Sequence, residues 1–369
     1  MPASPPGTPT IRVSTLELFL DLVFVFTITQ LTARLSAGLT VTGLLRVMLM
    51  LAVIWWMYDG YAWLTNTVAP TNGWRRGLLV TGMAGFFTIA LAIPDGYASS
   101  GWAFGIGYFV VNLVHSGLFI VAGGQGVTVA MRGLGPLNLA SASLVLAGGF
   151  LPDPWRTVTW CAAAAVQAAS PFLHPIGGFT ISPAHFVERH GLVVIVTLGE
   201  SVIAVGVGAG EHLTVKLIVA ALLGLVLAYY LWWAYFGGDD ERAEHALAGI
   251  ANTQHRARAA VLAFGYWHYF LLLGIVVLAA SVKKGIGHEF EPIERAQALA
   301  QGGGVALFLF GDLAFRRVLR IGRPWFRLGG LVVALATVPL GLVYGAAQLI
   351  VLTVALGVLL SLESHAHQA

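Results

Sequence analysis

Residues 17–31 read ELFLDLVFVFTITQL. The stretch is almost wholly apolar, yet it opens on Glu17, places Asp21 one helical turn later and closes on Gln30. A soluble core helix would swing both carboxylates to water, which a membrane helix cannot do, so the solvent has to be decided first. The whole chain decides it: 57% of its 369 residues are hydrophobic, 10% are charged, and the mean hydropathy is +0.81. Soluble domains carry about 25% charged residues. A chain with so few cannot clothe a water-facing surface, and the composition reads as an all-α, polytopic transmembrane bundle whose first partner is the lipid bilayer. The 45 glycines suit helices packed backbone to backbone in lipid.

Working outward, apolar runs long enough to span recur at 15–34, 42–63, 77–94, 102–122, 134–151, 155–172, 190–209, 213–236, 259–281, 297–316, 328–345 and 346–362, about 12 spans. With the N-terminus inside, 13 of the 20 Lys and Arg fall in cytoplasmic loops and 7 outside, which predicts cytoplasmic N- and C-termini in a bacterial inner membrane. Trp55-Trp56-Met57-Tyr58-Asp59-Gly60 ends the second span and Trp232-Trp233-Ala234-Tyr235-Phe236-Gly237 the eighth. Each follows a span with an acid, Asp21 or Glu200, and precedes paired arginines, Arg75-Arg76 or Arg256-Ala257-Arg258. That pattern predicts two six-helix parallel repeats, over 15–172 and 173–362, the second including a cytoplasmic loop at 237–258. Against it stands the plainer reading of an interfacial aromatic belt. The Pro-rich start lacks a basic n-region before an apolar core, so 1–14 is expected as a disordered tail and 363–369 as a polar one. A single Cys161 excludes an intrachain disulfide and any Cys-based metal or Fe–S cluster. The pI near 9.1 reflects loop Lys and Arg, and without a basic helix or aromatic-basic interleaving it does not point to nucleic acid.

A charge at membrane depth costs at least about 2.5 kcal/mol, so such residues face a bundle interior, pair, or mark a pathway. Glu17 and Asp21 share a helix face and should find a cation, with Arg75, Arg76 or Arg189 as structural partners, or accept hydrogen bonds from neighbouring helices. Glu200 sits mid-span in GLVVIVTLGESVIAVGVG, with Thr197 and Ser201 on nearly its own face and no Lys or Arg nearby in sequence. It suits a proton-coupled site or ion path; its bland reading is a neutral carboxyl bonded to Gln30, Asn112 or His115. In PAHFVERHG, His185, Glu188, Arg189 and His190 read as a polar cluster at the cytoplasmic mouth, with Arg189 bridging Glu17 or Glu188. Two His at i, i+5 do not share a face as a zinc pair does, so no metal is expected there. His115, Asn112, Gln167, His268, Asp312 and Gln348 complete the inventory, each alone more often interhelical glue. Asp312 has a local ion pair with Arg316 or Arg317 as its bland reading. In GGDDERAEH, Asp239, Asp240 and Glu244 resemble a Mg²⁺-chelating cluster, but without a second acidic motif a solvated loop is the better reading. There is no phosphate-cradling Gly loop, no nucleophile with an evident base, and no cofactor signature.

The blocks ELFLDLVFVFTITQLT at 17–32 and HFVERHGLVVIVTLGESVIAVGVG at 185–208 resemble those of the bacterial low temperature requirement A (LtrA) family. The first matches at Glu17, Phe19, Asp21, Phe24, Gln30 and Leu31; the second at His185, Glu188, Arg189, Gly191, Leu198, Gly199, Glu200 and Ser201. The resemblance covers about 12–362 and implies a multi-pass bacterial inner-membrane protein of poorly defined activity. A fainter likeness, in Phe19 to Phe24 and Ile28 to Leu31, is to the first helix of the endolysosomal and bacterial potassium-channel family. That family's Ser is Leu20 here, its Arg is Thr15, and the seventh span has no Phe-Ser-Asp.

The reading that results is a transporter or channel for a small ion or solute. Glu200 is its titrating group, and Glu17, Asp21, Gln30, Thr197, Ser201, His115, Asn112 and His268 are candidate binding residues. An oligomer is compatible with it. The alternative is an intramembrane enzyme acting on a lipid or isoprenoid, marked by a second convergent acid or His cluster at one depth, with His115 and His268 facing Glu200 as the best candidates. A sensor or scaffold with a purely structural polar core ranks last.

Overall fold

The computed structural model describes residues 13–174, 176–208, 214–285, 288 and 290–368, with 204–208 and 367–368 by backbone alone. Of the tail expected at 1–14, residues 1–12 lie outside that set, and Ser14 caps the first helix. The described residues form helices and no strand. In hydrocarbon every backbone N–H and C=O must be satisfied within its own segment, and a long apolar run meets that demand only as a helix.

Each predicted span falls on helix: α1 (Thr15–Ser36), α2 (Val41–Thr67), α3 (Gly73–Ala92), α4 (Gly101–Ala122), α5 (Gly124–Phe150), α6 (Trp155–Leu173), α7 (Pro183–Gly208) and α8 (Val215–Phe236). After α9 (Asp239–Ala248) and α10 (Thr253–Ala260), a π-helical stretch, Val261–Trp267, runs into α11 (His268–Gly285). Then come α12 (Arg295–Leu319), α13 (Pro324–Ala336), α14 (Val338–Gly341) and α15 (Gly345–Gln368). The eleventh span breaks at Thr337, two residues before Pro339, whose ring cannot continue the hydrogen-bond ladder. Ten helical stretches are long and apolar enough to cross a bilayer, and α6 and α7 complete the twelve predicted segments. Leu22, Val41, Val121, Phe150, Val215 and Trp325 each stand more than half exposed. Such a belt would aggregate in water and is at home against lipid tails. The chain is a multi-pass membrane protein.

Two expectations change. Residues 237–258, expected as a loop, carry two short helices, although most of their side chains stay exposed or half-buried. Gly238, at φ +101°, turns the chain, and α9 and α10 follow, with Asp239 buried at the start of α9. Residues 363–368 are not a tail, because α15 continues through them and Glu363 is buried among arginines.

In the first half α1 packs on α2 and α3, α3 on α4, α4 on α5, α5 on α6, and α6 back on α2. In the second, α7 packs on α8 and α11, α11 on α12, α12 on α13, α13 on α15, and α15 back on α8. Glycines permit the closest approaches. A Cβ on Gly107 would lie 2.7 Å from the Gly85 carbonyl oxygen, and one on Gly274 would lie 2.6 Å from that of Gly304. The halves meet where α1 packs on α7 and α11, and α2 on α7 and α11.

Candidate functional site

The seam between the halves begins where α1 begins. Ser14 and Glu17 form a capping box: the Ser14 amide and hydroxyl both donate to Glu17 Oε2, at 2.7 and 2.8 Å. Glu17 Oε1 faces His185 Nε2 at 3.2 Å and Arg189 Nε at 3.9 Å. Arg189, fully buried, donates Nη1 to Asp21 Oδ2 at 2.7 Å and to the Glu17 carbonyl at 3.1 Å. Tyr58 of α2 donates to the other Asp21 oxygen at 2.5 Å. The cation expected beside Glu17 and Asp21 is therefore Arg189, one of the three arginines considered. Asn66 donates to His185 Nδ1 at 3.1 Å, which leaves the His185 Nε2 hydrogen for Glu17.

The two histidines of HFVERH part company, as their spacing requires. His190 Nδ1 lies 2.8 Å from the Phe186 carbonyl and Nε2 2.9 Å from Asp59 Oδ1. A carbonyl only accepts, so Nδ1 carries hydrogen, and a further proton must lie between Nε2 and the Asp59 carboxylate. His268 stands edge-on to His190 at 5.6 Å and bonds Tyr235 Oη at 2.8 Å. Glu188 lies outside this cluster and is exposed, so Arg189 bridges to α1 and not to its neighbour in sequence.

Deeper along the seam, Glu200 is buried and accepts a hydrogen bond from Thr29 of α1 at 2.5 Å. At about 1.5 Å per residue, Thr29 lies about 21 Å along a helix about 33 Å long. Because Asp21 meets Arg189 and Thr29 meets Glu200, α1 and α7 run in the same direction. No ion pair reaches Glu200 among the described residues; Lys283 acts on it only at longer range. Its partner is not Gln30, Asn112 or His115. Gln30 is half-buried one residue along, Asn112 donates to the Tyr108 carbonyl, and His115 bonds the Gly60 carbonyl. Thr197 donates to the Val193 carbonyl, and the Ser201 hydroxyl has no partner among the described residues. Phe24, Ile28, Val193 and Val194, all fully buried, separate the Glu200 level from the Arg189 level.

His115 bonds the Gly60 carbonyl and His268 bonds Tyr235, so neither of these two candidates for a cluster with Glu200 is hydrogen-bonded to it. The described residues hold no group of three His, Cys, Asp or Glu that could bind a metal ion. A second charge cluster was read in the sequence only as its local Asp312–Arg316 pair. Arg316 pairs with Asp239 at 2.5 Å and Glu363 at 2.6 Å, Arg327 pairs with Asp312 and Glu363, and Arg242 pairs with Asp239 at 2.5 Å. Asp312 stands 3.5 Å from Arg316, so the local pair exists but Arg327 is the closer partner. Tyr58, Asp59 and Trp55, whose indole donates to the Gly265 carbonyl at 2.6 Å, were also missed as site residues. Their signal lay in WW-x-Y, which an aromatic belt explains equally well.

Two comparisons bear on this architecture. The family model described as bacterial low temperature requirement A protein (LtrA) matches residues 12–362, nearly the whole chain. An uncharacterized protein of Rhizobium meliloti (strain 1021) is 26% identical over 331 residues, covering 85% of this chain and 80% of the relative.

Proposed function

We propose that this chain, which belongs to the bacterial low temperature requirement A family, moves a small ion or solute across the bacterial inner membrane, with Glu200 as the titrating group. The observation that carries the reading is the Glu200–Thr29 contact. It is a carboxylate deep in the seam, held by one hydroxyl and without an ion pair among the described residues. A carboxyl that served only as structural glue would be expected to take several donors; one with open capacity suits a group that exchanges a proton or cation. The apolar layer of Phe24, Ile28, Val193 and Val194 then closes the path between Glu200 and the charged mouth at Glu17, Asp21 and Arg189.

Duplication supports the same reading. The order of neighbours in the second half repeats that of the first, α1 and α7 run the same way, and reciprocal glycines join α3 to α4 and α11 to α12. In duplicated transporters the binding site lies near the midplane where repeats meet. The loop charges favour cytoplasmic termini.

The test is flux into proteoliposomes under K⁺ and H⁺ gradients read by separate dyes, wild type against Glu200→Gln. Wild-type flux that falls at least about tenfold in a well-folded Glu200→Gln protein is the expected result, since a buried charge-assisted contact is worth about 1.5–3 kcal/mol. Full flux in the variant removes Glu200 from the mechanism.

A further inference from the structure

We propose that the first half holds a second site, for a small organic cation of the guanidinium or ammonium class, seated against Asp59 and exchanged for the proton of the Asp59–His190 pair. The site is a partly open pocket of ≈80 Å³ lined by α2, α4, α5, α6, residues 176–179 and Val261. A water molecule needs about 10–15 Å³ of such space, so the cavity takes a ligand of only a few heavy atoms.

Its lining is specific in kind. Trp63, Phe119 and Phe179 form a continuous edge-to-face wall, with centroids 5.7 and 5.2 Å apart, and Trp56 lines the same space. Ring faces attract cations. Among the described residues no Lys or Arg lines it, while Asp59 does. Two of the remaining polar groups have spent their hydrogens elsewhere. Ser170 donates to the Gln167 carbonyl, and His115 donates Nε2 to the Gly60 carbonyl, which leaves Nδ1 a bare acceptor without a partner. Asn138 lines the cavity at 7% exposure. A carboxylate, aromatic rings and the open His115 Nδ1, with no Lys or Arg among the described lining residues, ask for a positive ligand with N–H donors.

The matching segment of the other half borders a cavity where the chain's own guanidinium groups stand. Trp56 and Gly60 line this cavity; Trp233 and Gly237, their counterparts in the two WW-x-Y-x-G segments, line a cavity of ≈220 Å³. There the guanidinium groups of Arg316 and Arg327 rest on Glu363, and the counterpart of Asp59 is Phe236. The second half supplies its guanidinium covalently; the first half leaves the space for one from solution.

Proton exchange follows from the hydrogen bonds of His190. With a proton between Nε2 and Oδ1 the pair is neutral overall, so a cation gains a full charge partner only when that proton leaves. Around His190 stand Asp59 and Trp55 from α2, Phe264 from the π-helical stretch, His268 at the start of α11 and Phe186 on its own helix, while Arg189, next in sequence, is held by Asp21 of α1. None of these supplies a second carboxylate to His190. The balance is one cation in and one proton out.

The experiment is equilibrium dialysis of the full-length protein in nanodiscs with radiolabelled guanidinium and with urea, its neutral isostere, at constant ionic strength. A ligand this small binds no tighter than about 40 µM, so the titration runs to about 10 mM. Saturable guanidinium binding is expected, with urea at least about tenfold weaker, Asp59→Asn weaker by a similar factor, and proton release in weak buffer. Asn138→Leu, which fills the cavity, should also weaken binding, and Glu200→Gln should leave it unchanged. Glu200→Gln thereby separates this site from the transport reading above. Absence of saturable binding, equal binding of urea and guanidinium, or wild-type affinity in folded Asp59→Asn overturns the proposal. Should Asp59→Asn not fold, wild-type affinity in Asn138→Leu overturns it.

Discussion

Arg189 shows what one residue carries. Among the described residues its guanidinium is the one Lys or Arg cation against Glu17 and Asp21 on the seam. A buried pair adds little net stability, because desolvation offsets attraction, but removing one partner strands a charge and costs about 3–5 kcal/mol. Arg189→Met is therefore expected to lower stability by about that amount, read as the unfolding midpoint of purified protein in detergent. Arg189→Met combined with Asp21→Leu should recover much of the loss, since the stranded charge goes with it. An unchanged midpoint in Arg189→Met would mean that Asp21 is satisfied by Tyr58 alone. The sequence marked Glu17, Asp21 and Arg189 as expensive in lipid and named Arg189 among three partners. It did not mark Thr29, because a threonine in a membrane helix ordinarily donates to its own preceding turn, and here the single hydroxyl hydrogen has two acceptors in reach, the Val25 carbonyl at 3.1 Å and Glu200 at 2.5 Å.

Among elements, the α11–α12 pair is the clearest test of packing. A Cβ on Gly274 would meet the Phe308 amide nitrogen at 2.5 Å and the Gly304 carbonyl oxygen at 2.6 Å. Those are backbone atoms, which cannot rotate away, so Gly274→Val must push the helices apart. The expected cost is about 1–3 kcal/mol or more, checked by thermal unfolding and size-exclusion profile. Gly303, on the same α12, has nothing within 4 Å of an added Cβ. Gly303→Ala should be neutral or gain about 0.5–1 kcal/mol from helix propensity. Equal effects at the two positions would contradict this packing. Element type was legible because long apolar runs in lipid have one solution. The helices at 239–260 were not, because GGDDERAEH carries the composition of a water-facing loop. Asp239 is buried there only because Arg316, 77 residues away, comes to meet it.

For the whole molecule the testable quantity is orientation. Lys283 follows the span at α11 and is expected outside; Arg76, at the start of α3, is expected inside. In a Cys161→Ser background, Lys283→Cys should react with a membrane-impermeant maleimide in intact cells. Arg76→Cys should react only after permeabilisation. The reverse pattern would invert the topology and move the Glu17–Arg189 mouth to the outer face. The positions of the ten helical stretches long and apolar enough to span were readable from hydropathy. The cavities were not readable, since a helix's rotation about its own axis decides which residues line a space.

By itself the sequence determined the solvent, the helical class, the approximate span boundaries and the set of polar residues too costly to face lipid. Those properties are local: hydropathy adds along the chain, and an i to i−4 ladder closes within one segment. Tertiary structure alone decided that Asp21 takes Arg189, 168 residues away, that Glu200 takes Thr29, 171 residues away, and that Asp59 shares a proton with His190 beside an aromatic cavity. Such pairings depend on which helix faces meet and at what depth they cross. Several acids and several bases of equal chemistry compete for one another, and only packed geometry removes the degeneracy.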